Sequence, residues 1–222
     1  MSALTSAQLD GVMQTTLNQM GWSVEIVDPY TGIFLKRMHG ARQPVADLGC
    51  GFGIVTEHLL ADGATVIAND IAPAHLEEVK RRIPDEQRAN LTLVARDATQ
   101  LDFPADSLVG IMAGRWVHFL TSPAFREFFQ KAYTWLASGG TLCVTVHAMK
   151  AWCAPDVCRE YEKNRESGME WPGWSANWLE DAGFLVEKAG LYDLMIPSYP
   201  ASYRSYLASQ NTIGVVAIKP FR

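Results

Sequence analysis

Nowhere in its 222 residues does this chain carry an uncharged apolar run near the length that a bilayer crossing requires. Residues 1 to 20 also lack the basic start and continuous apolar stretch of a secretory leader. A cytoplasmic protein without a membrane partner is therefore expected. A basic surplus is missing too: 19 Lys and Arg stand against 24 Asp and Glu, for a formal charge of -5 and a pI near 5.5. Such a balance argues against a surface built to bind phosphate backbones, so no nucleic-acid partner is expected. Cysteine is sparse. Cys50, Cys143, Cys153 and Cys158 form no CxxC pair, and the spacing of the last three with His147 matches no standard zinc pattern. Free thiols and no metal follow. With 48% hydrophobic and 19% charged residues, the chain has the composition and length of one globular domain with a full core.

The stretch that organises the chain is Asp47-Leu48-Gly49-Cys50-Gly51-Phe52-Gly53, which joins the short apolar run Pro44-Val45-Ala46 to an amphipathic segment beginning at Ile54. It reads as the turn from a strand into a helix. Glycines at alternate positions let the backbone turn tightly and approach a ligand closely. The dinucleotide fingerprint G-x-G-x-x-G also follows a strand and opens a helix, but here its third glycine is missing, replaced by Ile54, and Asp47 stands at the strand end. The arrangement D-L-G-C-G-x-G resembles motif I of the class I S-adenosylmethionine-dependent methyltransferases. That resemblance implies S-adenosylmethionine as cofactor, with S-adenosylhomocysteine as product. Its amino-acid end would lie against Asp47, Gly49, Cys50, Gly51 and Gly53.

Downstream, Ile54 to Ala61 reads as a helix ended by Gly63, with His58 structural or exposed, and Ala64 to Asn69 as a β-branched strand leading to Asp70. Asp70 lies 21 positions after Gly49, the separation a βαβ unit requires, where a carboxylate can accept from both hydroxyls of a ribose. Ile71, which follows it, is expected to line the cofactor as well. Pro73 opens a charged helix to about Ile83 that reads as scaffolding. Leu91 to Ala95 is a third strand. The resemblance implies that Asp97 and the amide of Ala98 then meet the adenine, while the residues alone allow Asp97 simply to cap a turn.

Ser107 to Ala113 is an apolar strand without alternation, as for a central parallel strand. It ends in Gly114-Arg115-Trp116-Val117-His118-Phe119, where small-molecule methyltransferases place the floor of the site and where the [DN]-P-P-[YF] end of amino-methylating DNA and protein glutamine enzymes is lacking. Arg115 and Trp116 would line the cofactor. Ser122 opens a phenylalanine-rich helix through Leu136, and Ser138-Gly139-Gly140 ends it before a strand from Thr141 to Val146. The result expected is an α/β, Rossmann-like, seven-stranded and mostly parallel sheet with helices on both faces. Late elements are a strand from Phe184 to Leu191 and an antiparallel strand from Thr212 to Lys219.

Four segments of a single methyltransferase domain are expected: a helical cap over 1–43, a cofactor-binding core over 44–147, a substrate lid over 148–180 and C-terminal strands over 181–222. The cap includes an amphipathic helix from residue 6 to 20, carried by Leu9, Val12, Met13, Leu17 and Met20. The resemblance implies an aromatic residue over the cofactor, and Tyr30 is the candidate. Four of the seven tryptophans fall between 152 and 178. Trp152, Trp171 and Trp174 suit an aromatic or apolar acceptor pocket, or else a structural cluster.

Methyl transfer from a sulfonium is an in-line displacement, so positioning matters more than acid or base strength. For a hydroxyl or amine acceptor, His118 or His147 could remove a proton, and each could equally be a hydrogen-bonding pocket residue. A small-molecule O- or N-methyltransferase leads. A nucleotide-dependent oxidoreductase and a cofactor-binding partner protein without transferase activity stay open.

Overall fold

The computed structural model describes residues 13–19, 22–24, 27–120, 122–147, 182–192 and 212–221. At the N-terminal end, β1 (Met13–Thr15) pairs antiparallel with β2 (Trp22–Val24), and Gln19 N–H closes the intervening turn on the Thr16 carbonyl at 2.9 Å. This corrects the helix expected over 6–20 where that segment is described, residues 6–12 lying outside the described residues. The 3.6-residue spacing of apolar side chains is real, but Thr15 and Thr16 are β-branched and a partner strand lies within reach, and pairing wins over periodicity.

Helix α1 (Pro29–Met38) is absent from the sequence reading, although its signals are plain in the chain. Asp28 caps it, its Oδ1 accepting from the Tyr30 and Thr31 amides at 2.9 and 3.0 Å, Pro29 occupies the first turn and Lys36 and Arg37 the last. Strand β3 (Val45–Leu48) leads through the glycine turn into α2 (Ile54–Ala61), and β4 (Val66–Asp70) leads into α3 (Pro73–Arg82). Strands β5 (Leu91–Ala95) and β6 (Leu108–Gly114), helix α4 (Ser122–Trp135), and strands β7 (Leu136–His147), β8 (Leu185–Tyr192) and β9 (Thr212–Ile218) complete the described chain.

The large sheet has seven strands in the order β5-β4-β3-β6-β7-β9-β8, parallel through β7, with β9 antiparallel to both of its neighbours. Strand order reverses between β3 and β6, which makes the carboxyl end of β3 the crevice where such sheets receive ligands. One face buries Tyr30, Phe34 and Met38 of α1 with Leu59 and Val79, and the other buries Phe125, Phe128, Phe129 and Trp135 of α4. Burying each of these large side chains contributes roughly 1.5–3 kcal/mol.

The expected glycine stop at Ser138-Gly139-Gly140 is also corrected, because α4 ends at Trp135 and β7 begins at once. Pairing with β6 then slips, Leu108 facing Leu136 while Gly110 faces Thr141. A buried lysine holds the irregular stretch. Lys219 Nζ donates to the Leu136 carbonyl at 2.7 Å and to Asp106 Oδ1 at 2.6 Å, while its backbone bonds Gly139 and Gly140. No helix among the described residues is long and apolar enough to cross a membrane.

Candidate cofactor and acceptor site

Gly49, Gly51 and Gly53 all adopt positive φ, at 66°, 53° and 82°, a conformation that side chains with a Cβ rarely take. The amides of this turn are largely spent within the chain. Cys50 N–H donates to the Asn69 carbonyl at 2.8 Å, Gly51 N–H to Asp70 Oδ2 at 3.0 Å and Gly53 N–H to the Cys50 carbonyl at 2.9 Å. Asn69 is itself fixed by Nδ2 bonds to the carbonyls of Val94 and Arg96 at 2.9 and 2.7 Å. So β4 and the strand after it brace the turn from one side.

Two buried carboxylates flank the turn. Asp47 is 3% exposed, and its Oδ2 accepts a hydrogen bond from the Thr56 hydroxyl at 2.7 Å. Burial pushes its carboxyl up to about 6, opposed by the Thr56 bonds and reinforced by the nearby charge of Asp70. The Cys50 thiol rises well above its usual range, from burial first and then from these same two carboxylates, which removes it as a nucleophile. Asp70 is buried with Oδ1 accepting from Ala72 N–H at 2.9 Å and facing His75 Nδ1 at 2.9 Å. With Gly51 on Oδ2, three of the roughly four acceptor positions of a carboxylate are filled. One acceptor position is left open.

Trp116 comes to the same turn from the end of β6. A Cβ at Gly49 would lie 2.5 Å from its Cδ1, so the indole rests on the bare glycine, and its ring meets Phe128 edge-on at 5.2 Å. Its Nε1 is buried with no partner among the described residues, as is Thr145 Oγ1 on the adjacent strand. Arg115, just before it, holds the left-handed conformation at φ 57° while its amide bonds the Thr145 carbonyl at 2.7 Å. A non-glycine residue held there costs about 1–3 kcal/mol, a constraint that aims Trp116 at the turn. Gly49→Ala is expected to weaken cofactor binding about tenfold and stability by about 1–2 kcal/mol, through forced φ and displaced indole. Calorimetry and urea unfolding would measure both.

Other expected residues fall as follows. Ile71 is 56% exposed directly beyond Asp70, an open apolar side chain beside the turn. Asp97 caps a short 3-10 turn, Oδ1 accepting from the Thr99 amide and hydroxyl at 2.9 and 2.8 Å, and Ala98 is buried after it. His118 lies in the 3-10 turn Val117–Phe119 after β6, and His147 ends β7, so both stand at carboxyl ends of neighbouring strands. Tyr30 is buried, its ring against Gly214 of β9. His58 is exposed. Trp152, Trp171 and Trp174 lie outside the described residues. No group of three or more His, Cys, Asp or Glu suited to a metal occurs among the described residues.

Four polar residues at the site escaped the sequence reading: Ser23, Thr56, Asn69 and His75. Ser23 Oγ stands 3.7 Å from where a Gly51 Cβ would lie, so β2 covers the turn. Thr56 and Asn69 could have been flagged as polar side chains immediately inside elements that flank the glycines. His75 sits five residues after Asp70 in a helix otherwise charged at its surface, and only its tertiary partners distinguish it.

Residues 45–140 match the family model described as a methyltransferase domain. A demethylmenaquinone methyltransferase of Clavibacter sepedonicus is 28% identical over 167 residues, covering 65% of this chain and 66% of that protein. A carboxy-S-adenosyl-L-methionine synthase of Yersinia pestis is 26% identical over 118 residues, covering 51% of this chain and 44% of that one. The matches thus span 66% and 44% of these curated relatives' own length. Among solved structures, an S-adenosylmethionine-dependent methyltransferase of Mesorhizobium loti superposes with a TM-score of 0.63 at 20% identity, covering 83% of this chain and 95% of that one. The fold found here is thus that of a known architecture.

Proposed function

We propose that this chain is a class I S-adenosylmethionine-dependent methyltransferase, a reading supported by the match of residues 45–140 to a methyltransferase domain, and that it moves a methyl group to an oxygen or nitrogen of a small aromatic or apolar molecule in the cytoplasm. One observation carries the choice of cofactor. Three amides of the glycine turn are already bonded inside the chain, and two buried carboxylates stand beside it. A pyrophosphate needs free amides and a positive setting, whereas a molecule bearing a sulfonium and an ammonium gains from buried negative charge.

When bound, the cofactor supplies an electrophilic methyl carbon. In this reading Asp47 faces its ammonium, the open position on Asp70 takes a ribose hydroxyl, and Ile71 covers one face of the adenine. Asp97 and Ala98 meet the adenine edge. Gly49, Cys50, Gly51 and Gly53 form the wall, with Arg115 and Trp116 beside it and Tyr30 as the aromatic candidate from the N-terminal side.

On the acceptor side, His118 and His147 stand on adjacent strand ends, where a neutral imidazole removes the acceptor's proton as the methyl arrives or hydrogen-bonds the acceptor. Trp152, Trp171 and Trp174 supply apolar surface in this reading. An aromatic, apolar acceptor is supported by the name of the Clavibacter relative, a demethylmenaquinone methyltransferase.

Titration calorimetry with S-adenosylmethionine and with NAD, followed by turnover to S-adenosylhomocysteine on a panel of phenols, quinols and aromatic amines, tests the proposal. S-adenosylmethionine binding and turnover on a panel member are expected. Tight binding of NAD alone would overturn the cofactor, and binding without turnover on any acceptor would favour a non-catalytic partner protein.

A further inference from the structure

His75 is 2% exposed and bonded at both ring nitrogens. Nδ1 lies 2.9 Å from Asp70 Oδ1, and Nε2 accepts the Leu17 amide proton at 3.0 Å across 58 positions of sequence. Each partner has a single role. A backbone N–H can only donate, so Nε2 must be bare, and a carboxylate can only accept, so Nδ1 must carry the hydrogen. The tautomer is thereby set by the fold. Phe52 of the glycine turn closes over the ring edge-on at 5.3 Å, which leaves it little room to rotate.

Leu17 belongs to the turn between β1 and β2, whose Ser23 covers Gly51. The small N-terminal hairpin therefore meets the cofactor crevice at two points. A continuous chain of bonds runs from Leu17 N–H to His75, from His75 to Asp70, and from Asp70 to Gly51 N–H.

We propose that His75 is a positioning residue that couples seating of the N-terminal hairpin to the ribose-facing carboxylate of Asp70. Resting on the cofactor reading above, the inference goes beyond it by joining a segment outside the methyltransferase core to cofactor affinity. Ordering of the hairpin and binding of the cofactor then favour one another, since each holds the same carboxylate in the same orientation.

Leu17→Pro tests this with little disturbance. Position 17 is the second residue of the turn closed by Gln19 N–H on the Thr16 carbonyl, where proline is accommodated, so the change removes only the donor to His75. His75→Asn is the companion, keeping a donor for Asp70 while losing the acceptor for Leu17. Hydrogen exchange of residues 13–24 read by mass spectrometry, with and without S-adenosylhomocysteine, is combined with calorimetry of the same ligand. In the wild type the ligand is expected to slow exchange of 13–24. Both variants should exchange there rapidly without ligand and bind it about tenfold more weakly, the scale of one lost hydrogen bond. Unaltered exchange of 13–24 in Leu17→Pro, or unaltered affinity in both variants, would overturn the coupling. Should the wild type bind no S-adenosylhomocysteine, the cofactor reading fails, while exchange in the ligand-free proteins still decides whether His75 seats the hairpin.

Discussion

Asp70→Ala is expected to weaken S-adenosylmethionine binding by about 3 kcal/mol or more, beyond the roughly 1–3 kcal/mol of a single bond to a charged group. The excess comes from what the carboxylate does inside the protein. Its removal strands Gly51 N–H, Ala72 N–H and the Nδ1 hydrogen of His75, three donors whose acceptor is buried. The turn that receives the cofactor and the ring that seats the hairpin would both loosen. A fall in stability of about 2–4 kcal/mol should accompany the lost affinity, since buried donors without partners are costly.

Asp70→Asn separates charge from geometry. An amide oxygen can still accept from Ala72 and His75, but its NH2 would face the Gly51 N–H, donor against donor. Its affinity should fall between wild type and Asp70→Ala, with most of the stability retained. Calorimetry with urea unfolding on the three proteins gives both orders. Unchanged affinity in Asp70→Ala would remove Asp70 from the cofactor site.

The difference between what was legible in the chain and what was not follows the range of the interactions. Asp47, the glycines and Asp70 could be read because a strand-turn-helix unit and its next strand end are local patterns with fixed spacing. The alternation of strands and helices that builds the parallel sheet was legible for the same reason, as was the late antiparallel strand β9. The partners of Asp70 and His75 were not, because Gly51 reaches Asp70 only through the packing of β4 against β3, and Leu17 reaches His75 only through the seating of the hairpin against α3. His75 was absorbed into a helix read as scaffolding, and nothing in its neighbours Ala74 and Leu76 marks a buried imidazole.

Misread elements have a common cause. The segment from 6 to 20 has helical spacing, yet Met13–Thr15 pairs with Trp22–Val24, so a partner seven to eleven residues away outweighs local period. At Gly139-Gly140 the glycines do mark irregular backbone, Gly139 at φ 77°, but as a slip inside β7 pinned by Lys219 from the far end of the chain. Asp97 shows the opposite case. Its local role, capping the turn at Thr99, is present in the fold, and its proposed contact with the adenine must use the oxygen that the cap leaves open.

Asp47 carries the second large expectation, a pH dependence of cofactor affinity. Its carboxyl sits at about 6 in the fold against an ordinary value of 3.8, raised first by burial. For an acid raised on folding, the stabilising contribution is fully present below about pH 3.8 and is lost as pH rises through about 6. Above that point the ligand-free protein holds an ionised, buried carboxylate at a cost of about 3 kcal/mol. Asp47→Asn should therefore be more stable than wild type at pH 7.5 and lose that advantage near pH 4, as urea unfolding at the two pH values would report. A cation seated beside Asp47 offsets the cost, so binding draws on the ionised form. Affinity for S-adenosylmethionine is expected to rise about fivefold from pH 5 to pH 6, to reach about tenfold by pH 7 and to level off above it, while Asp47→Asn binds weakly with no such rise. Methylthioadenosine lacks the amino-acid end and its ammonium, and its affinity should stay flat across the same range. An equal rise for methylthioadenosine, or none for S-adenosylmethionine, would separate Asp47 from the ammonium and leave its burial explained by the Thr56 hydroxyl alone.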